Sequence, residues 1–194
     1  METIRLTPLA VNRLEWSVWL VSWVALARWA DRAVARADLA QQVGYRALTV
    51  AGAVLLVHLY RGALAIDFVL WKPAPFIAWT MDAIVAAGFA FTWWARVHLG
   101  ALWSSHVTRK AHHHVVDTGP YGIVRHPIYT GLAVAVIATF VMSSTIASAL
   151  GAALLVSAFY VKARVEERFL REQLGSADYD AYAKRVPMLI PWPT

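Results

Sequence analysis

The side chains able to do chemistry crowd into two short stretches. The first, His113 to Tyr129, reads His-His-Val-Val-Asp-Thr-Gly-Pro-Tyr-Gly-Ile-Val-Arg-His-Pro-Ile-Tyr; the second is Glu166-Glu167, flanked by Lys162, Arg164 and Arg168. The chain has no cysteine, so disulfides, thiolate metal sites and thiol nucleophiles are excluded and any reaction must run on His, Arg, Lys, Glu, Asp or Tyr. Histidines at 106, 112, 113, 114 and 126 invite a metal reading. Three consecutive histidines cannot all turn to one ion, however, and no His-Glu-x-x-His pattern supports them, so no metal is expected. A carboxylate from the Glu pair can bind an ammonium or ribose hydroxyls, and a neighbouring cation can hold an anionic substrate. Adjacent helical positions diverge by about 100°, so at most one of Glu166 and Glu167 is expected to face a common pocket. Gly119 allows close backbone approach, and Pro127 suits the first turn of a helix. On residue types alone, Arg125, His126 and Tyr129 fit interfacial anchors equally well, and the Glu pair fits a solvated helix face.

The elements that must position these residues are apolar. Of the 194 residues, 59% are hydrophobic and 15% charged, with ten Trp, a composition that points to a small polytopic membrane protein. The net charge of +6 lies in short segments between apolar runs, where topology signals belong, so membrane lipids are the expected partner and nucleic acid is not. Leu14 to Ala30 reads as a first membrane helix; its Ala25-Leu26-Ala27 resembles a signal-peptidase site, but no soluble domain follows that would need export. A charged connector, 31–46, leads to a second apolar segment, 47–66, with His58 and Arg61 in its last turns. Lys72-Pro73-Ala74-Pro75 breaks the chain, and a third segment, 76–94, carries Asp82, whose expected role is an interhelical hydrogen bond.

From Pro127 to Val161 there is no charge. About 30 helical residues span roughly 45 Å, too long for one upright crossing and short for two full ones. The triplet Ser143-Ser144-Thr145 marks a place for a tight turn. With that hairpin and five crossings, the 18 Lys and Arg divide fourteen to four (Arg5, Arg13, Arg61 and Lys72 opposite the rest); with one long helix the six tail cations change sides and the split becomes eight to ten. The positive-inside bias selects five transmembrane helices, the amino terminus outside, and the 98–127 loop and the tail in the cytoplasm. The expected fold is therefore all-α, a single domain over 1–194: three transmembrane helices in 1–97, then loop, helical hairpin and cytoplasmic tail in 98–194. In the tail, 162–174 continues helix five, Gly175 is a stop, and Tyr179, Tyr182 and Val186 share one face of a short last helix.

Here a resemblance enters. His113-x-Val115-Val116-x-x-Gly119-x-Tyr121-x-x-x-Arg125-His126-Pro127-x-Tyr129, then Glu166-Glu167, then Gly175-x-x-x-Tyr179-x-x-Tyr182-x-Lys184-Arg185-Val186-Pro187-x-x-Ile190-Pro191, resembles the isoprenylcysteine carboxyl methyltransferase family, one of a wider group of integral-membrane methyltransferases that includes the phospholipid N-methyltransferases. Leu99-Gly100-x-x-Trp103-Ser104 resembles a stretch the family has upstream, so the match runs from Leu99 to about Pro191. It implies S-adenosyl-L-methionine as cofactor, in a cytoplasmic pocket made by His113, His114, Val115, Val116, Gly119, Tyr121, His126, Pro127, Ile128, Tyr129, Glu166 and Glu167, with His106 a weaker transfer. It further implies a lipophilic or prenylated acceptor entering from the bilayer. Arg125 resembles the family's active-site arginine. One turn before the Glu pair, where the family has a further arginine, this chain has Lys162 with Arg164 close by; lysine keeps the charge and loses the two-pronged grip on a carboxylate.

The implied reaction is in-line methyl transfer to the carboxylate of an isoprenylcysteine-like substrate. A carboxylate is ionised at neutral pH and needs no general base; a phenolic lipid or an aminophospholipid would need one, with His126 or Glu167 the nearest. Two other classes fit the same residues: a sterol-type membrane reductase using a nicotinamide cofactor, and a non-catalytic helical scaffold. High Ala and Arg with little Lys suggests a GC-rich bacterial genome, hence a bacterial inner membrane with the site on the cytoplasmic side.

Overall fold

The computed structural model describes residues 6–25, 35–36, 39–57, 68–100, 103, 108–109, 116–174 and 176–192. Six helices follow in order: α1 (Pro8–Ala25), α2 (Leu39–Leu56), α3 (Pro75–Leu99), α4 (Pro127–Ser143), α5 (Ile146–Leu174) and α6 (Ser176–Arg185), with a 3-10 turn over Gly119–Gly122. Among the described residues the only paired strands are β1 (Ala35–Arg36) and β2 (Thr108–Arg109), an antiparallel pair that ties the α1–α2 connector to the loop after α3. The class is helical, as the apolar runs predict.

Local chemistry explains most of the boundaries. Pro75 and Pro127 open α3 and α4, where a missing N–H costs nothing and the fixed φ already suits a helix. Gly100, at φ 57°, closes α3 by donating its N–H to Arg96 O. Two expected boundaries are corrected. α1 begins at Pro8 rather than Leu14, with Thr7 Oγ1 accepting from Ala10 N; Arg28 lies outside the described residues. α2 begins at Leu39 rather than Ala47, inside the expected charged connector. Its first turns hold together because Gln42 Oε1 accepts from both Tyr45 O–H (3.2 Å) and Arg46 Nη2 (2.7 Å), at i+3 and i+4 spacing. The stretch 58–66, with His58 and Arg61, lies outside the described residues, as does Gly175.

Small residues set the packing. α3 and α4 meet at Gly88 and Gly131: a Cβ on Gly88 would stand 2.7 Å from Gly131 O, and one on Gly131 would stand 2.6 Å from Gly88 O. α2 and α5 meet the same way, a Cβ on Gly151 falling 2.6 Å from Leu56 N. Backbones brought this close gain dispersion contacts along their whole length, the main attraction open to apolar helices that leave their outer faces apolar. The outer faces here are apolar, with Val21, Val50 and Val97 all about two-thirds exposed. Val85, Phe89, Leu132, Ala135, Ala138 and Met142 fill the α3–α4 seam. α1 docks on it through indole donors, Trp16 Nε1 to Thr139 Oγ1 at 3.0 Å and Trp19 Nε1 to Thr92 Oγ1 at 2.8 Å.

Asp82 is buried; its Oδ1, like Glu15 Oε2 of α1, has no hydrogen-bond partner among the described residues. Between α4 and α5, Ser144 adopts the left-handed conformation (φ 49°). The strand-like 68–71 segment straps that turn, with Leu70 N donating to Ser144 O (2.6 Å) and Ile146 N to Phe68 O (3.1 Å).

Because the α3–α4 backbones touch, Gly131→Val should destabilise the protein by roughly 1–3 kcal/mol. Gly44→Ala, where a Cβ meets nothing within 4 Å, should be neutral or stabilising by up to about 1 kcal/mol. Thermal unfolding of detergent-purified variants checks both, and equal unfolding temperatures would contradict this packing.

Candidate active site

The site forms where the start of α4 meets the outer half of α5. Gly119 takes φ 57° with the His98 ring packed against it, so a side chain there would collide with the imidazole. Pro120 and Tyr121 are buried by the turn that follows. The chain then bends through Arg125 and His126 into Pro127, and residues 187–189 of the tail lie beside it: Arg125 N donates to Pro187 O (2.8 Å), His126 N to Met188 O (3.1 Å) and Thr130 Oγ1 to Leu189 O (2.7 Å).

Glu167 is only 1% exposed and accepts from Arg125 Nε at 2.7 Å, with His126 Nε2 at 3.4 Å and Arg171 Nη1 at 3.8 Å. Glu166 keeps 20% of its side chain exposed, accepts from Tyr129 O–H at 2.5 Å, and lies 3.6 Å from His126 Nδ1. His126 thus stands between both carboxylates. The two side chains diverge by one helical step, Glu166 partly open and Glu167 sealed, and the imidazole, with a nitrogen on each edge, fills the notch between them. Burial pushes the His126 pKa down, but hydrogen bonds and charge from Glu166 and Glu167 outweigh it, so the net displacement is upward.

An aromatic wall completes this side. His126 stacks on Tyr129 at 5.5 Å, and Tyr129 stacks on Phe159 at 6.1 Å. Lys162, one turn before Glu166 on the same helical face, holds its ammonium 5.3 Å from the Tyr129 ring and 5.7 Å from the Tyr45 ring.

Not every candidate joins the cluster. Arg125, expected beside an acceptor, commits Nε to Glu167 and Nη1 to the carbonyls of Ala183 (2.9 Å) and Val186 (2.5 Å), capping the carboxyl end of α6. Arg164 is exposed, two helical positions from both Lys162 and Glu166, and so faces away from the cluster. Tyr121 enters through its carbonyl, which accepts from Tyr182 O–H at 2.7 Å. Val116 is half-buried and Ile128 packs on the α3–α4 core. His106, His113, His114 and Val115 lie outside the described residues. Among the described residues no group of three or more His, Asp or Glu could hold a metal ion. Tyr45 of α2, which the sequence analysis leaves in a charged connector, joins the cluster through its ring, 5.7 Å from the Lys162 ammonium.

Residues 80–172 match the model of the isoprenylcysteine carboxyl methyltransferase family. The match covers just under half of the chain. The match starts within α3, upstream of Leu99, and stops at residue 172, near the end of α5. Relatives include protein-S-isoprenylcysteine O-methyltransferase B of Arabidopsis thaliana, 35% identical over 57% of this chain and 51% of the relative. Methanethiol S-methyltransferase 1 of Bradyrhizobium diazoefficiens is 32% identical over 67% of this chain and 51% of the relative. A methanethiol S-methyltransferase of a Pseudomonas species is 32% identical over 66% and 55%. The chain spans about half the length of the curated relatives it matches.

Removing Glu167 takes the carboxylate from the largely buried Arg125 Nε and from His126 Nε2, so Glu167→Ala should cost about 3–5 kcal/mol. Arg164→Ala should stay within about 0.5 kcal/mol. Chemical unfolding in mixed micelles reads both. A raised folded-state pKa also means that the stability His126 confers is complete below its ordinary value of 6.5 and is lost as pH rises through the higher folded value. The unfolding temperature should accordingly fall across that window, and His126→Gln should flatten the profile; a parallel profile for the two proteins would contradict the assignment.

Proposed function

We propose that the chain is a five-crossing membrane methyltransferase, one domain over 1–194, that transfers a methyl group from S-adenosyl-L-methionine to the carboxylate of a lipophilic, isoprenylcysteine-like acceptor. The observation that carries this reading is Glu166, partly open and held by Tyr129 and His126, within the stretch that matches the family. Two helices, Pro75–Leu99 and Ile146–Glu172, are long and apolar enough to cross a membrane, and α2 and α4 contain shorter apolar spans. The cation distribution supports five crossings, with the site on the cytoplasmic face of a bacterial inner membrane.

The residues present fit the cofactor. S-adenosyl-L-methionine supplies an activated methyl on a sulfonium when bound, and it carries an ammonium as well; a carboxylate beside stacked aromatic faces suits both cations. Glu166 would bind the ammonium or the ribose hydroxyls. Tyr129 and His126 orient that carboxylate, while Tyr121, Val116, Pro127 and Ile128 shape the pocket; His113, His114 and Val115 are assigned to the cofactor by the sequence resemblance alone. Glu167 and Arg125 act on the site from behind, by holding His126 and the tail in place. Lys162 neutralises the acceptor's charge.

The chemistry asked of these groups is modest. His126 turns both ring nitrogens to carboxylates, Nδ1 to Glu166 and Nε2 to Glu167, which makes it a weak candidate for removing a proton from an acceptor. That favours an acceptor already ionised over a phenol or an amine. The rate would then come from fixing both reactants in line and excluding water. A thiol acceptor is the second reading, favoured by the longer reach of the methanethiol S-methyltransferase match along this chain.

Calorimetric titration of S-adenosyl-L-methionine into detergent-purified protein should show saturable binding that Glu166→Gln weakens tenfold or more, on the order of a lost charge-assisted hydrogen bond. Folded protein that binds only reduced nicotinamide nucleotide would replace this reading with the reductase.

A further inference from the structure

We propose that Tyr45 of α2 is a positioning residue for the reaction: its ring, together with that of Tyr129, holds the Lys162 ammonium at the place where the acceptor's carboxylate must meet it. The inference rests on the methyltransferase reading and deepens it, adding a residue that lies outside the matched stretch of 80–172.

The register of the α2–α5 seam brings the two side chains together. A Cβ on Gly52 would stand 3.0 Å from Leu155 N, and one on Gly151 would stand 2.6 Å from Leu56 N, so the helices run antiparallel. Tyr45 lies about two turns before Gly52 and Lys162 about two turns after Leu155, which puts both on the contact face at the same end. Tyr45 is buried at 4% exposure. The Lys162 ammonium lies over its ring at 5.7 Å and over the Tyr129 ring at 5.3 Å, both inside the roughly 6 Å over which a ring face attracts a cation.

Each ring is itself held. Tyr45 O–H donates to Gln42 Oε1 at 3.2 Å within α2. Tyr129 O–H donates to Glu166 while its ring stacks on His126 and on Phe159. A lysine stem is flexible, and fixing it costs up to about 2 kcal/mol of rotamer freedom. Tyr129 ties the ammonium to the cofactor side, because the same side chain bonds Glu166; Tyr45 ties it to α2. The place of the cation relative to Glu166 is thereby set by how α2, α4 and α5 meet rather than by the lysine's own rotamers. A ring face acts through its quadrupole and brings no oxygen into the position the acceptor's carboxylate would take.

The test follows methyl transfer to an S-prenylated cysteine by the whole chain in lipid nanodiscs. Tyr45→Leu should lower kcat/KM for the acceptor roughly fivefold or more, the scale of one cation–π contact, with affinity for S-adenosyl-L-methionine held within about twofold. Tyr45→Phe, which keeps the ring, should recover most of that loss. On a Lys162→Met background, Tyr45→Leu should cost nothing further, because its effect passes through the ammonium. The chain has only four lysines, Lys72, Lys110, Lys162 and Lys184, so labelling lysine with carbon-13 at the ε position reads the group directly by NMR. The Lys162 methylene protons should resonate upfield of the others, and should move toward them in Tyr45→Leu but not in Tyr45→Phe. If Tyr45→Leu does not fold, Tyr45→Met serves the same comparisons. A Lys162 resonance indifferent to the side chain at 45 overturns the proposal, as do additive losses in the double variant. Wild type that binds no S-adenosyl-L-methionine counts against the methyltransferase reading instead, while the resonance still reports whether Tyr45 holds the ammonium.

Discussion

A fully buried carboxylate is the constraint on which the carboxyl-terminal half of this protein depends. Glu167 is among the largest side chains withdrawn from solvent, and an unpaired charge in that position would be ruinous. Arg125 and His126 from the start of α4 and Arg171 from the next turn of α5 converge on it. Satisfying Glu167 therefore fixes how α4 leaves the 119–126 turn and how it meets α5. Because the same arginine caps α6 through Ala183 and Val186, the demand passes on to the tail. Pro187 to Leu189 can then pair beside Arg125 and His126, which closes the back of the site.

Glu166 benefits from that rigidity without sharing it. Its neighbour is sealed, yet a fifth of its own side chain stays open, held by Tyr129 and flanked by Lys162. One helical step separates a structural acid from one able to meet a ligand. The aromatic stack of His126, Tyr129 and Phe159 supports the open carboxylate from one side and the Lys162 ammonium occupies the other. The small-residue seams at Gly88–Gly131 and Gly52–Gly151 hold these helices close enough for short side chains to reach across.

Much of this was legible in sequence because the signals are local. Proline at 75 and 127, the uncharged run after Pro127, and the polar triplet at 143–145 each act on their own segment of backbone. The order of the His-Pro and Glu-Glu blocks pointed to the same cluster that the fold assembles. The start of α2 was misread because Gln42, Tyr45 and Arg46 look like a charged connector in one dimension. Only the hydrogen bonds to Gln42 Oε1 turn them into the polar end of a helix. Similarly, that one imidazole fills the notch between two diverging acids is set by how α4 meets α5.

What the sequence by itself determined was the inventory and its local geometry: helical class, apolar faces, the absence of thiol chemistry, and the residues able to carry a reaction. Tertiary structure decided their roles. Arg125 became a clamp, Arg164 a surface cation, and Lys162 a neighbour of two aromatic rings. Those outcomes depend on contacts between positions as far apart as 45 and 162 or 125 and 186, set by which helix faces meet and how closely, and nothing in the local spacing of residues encodes such distances.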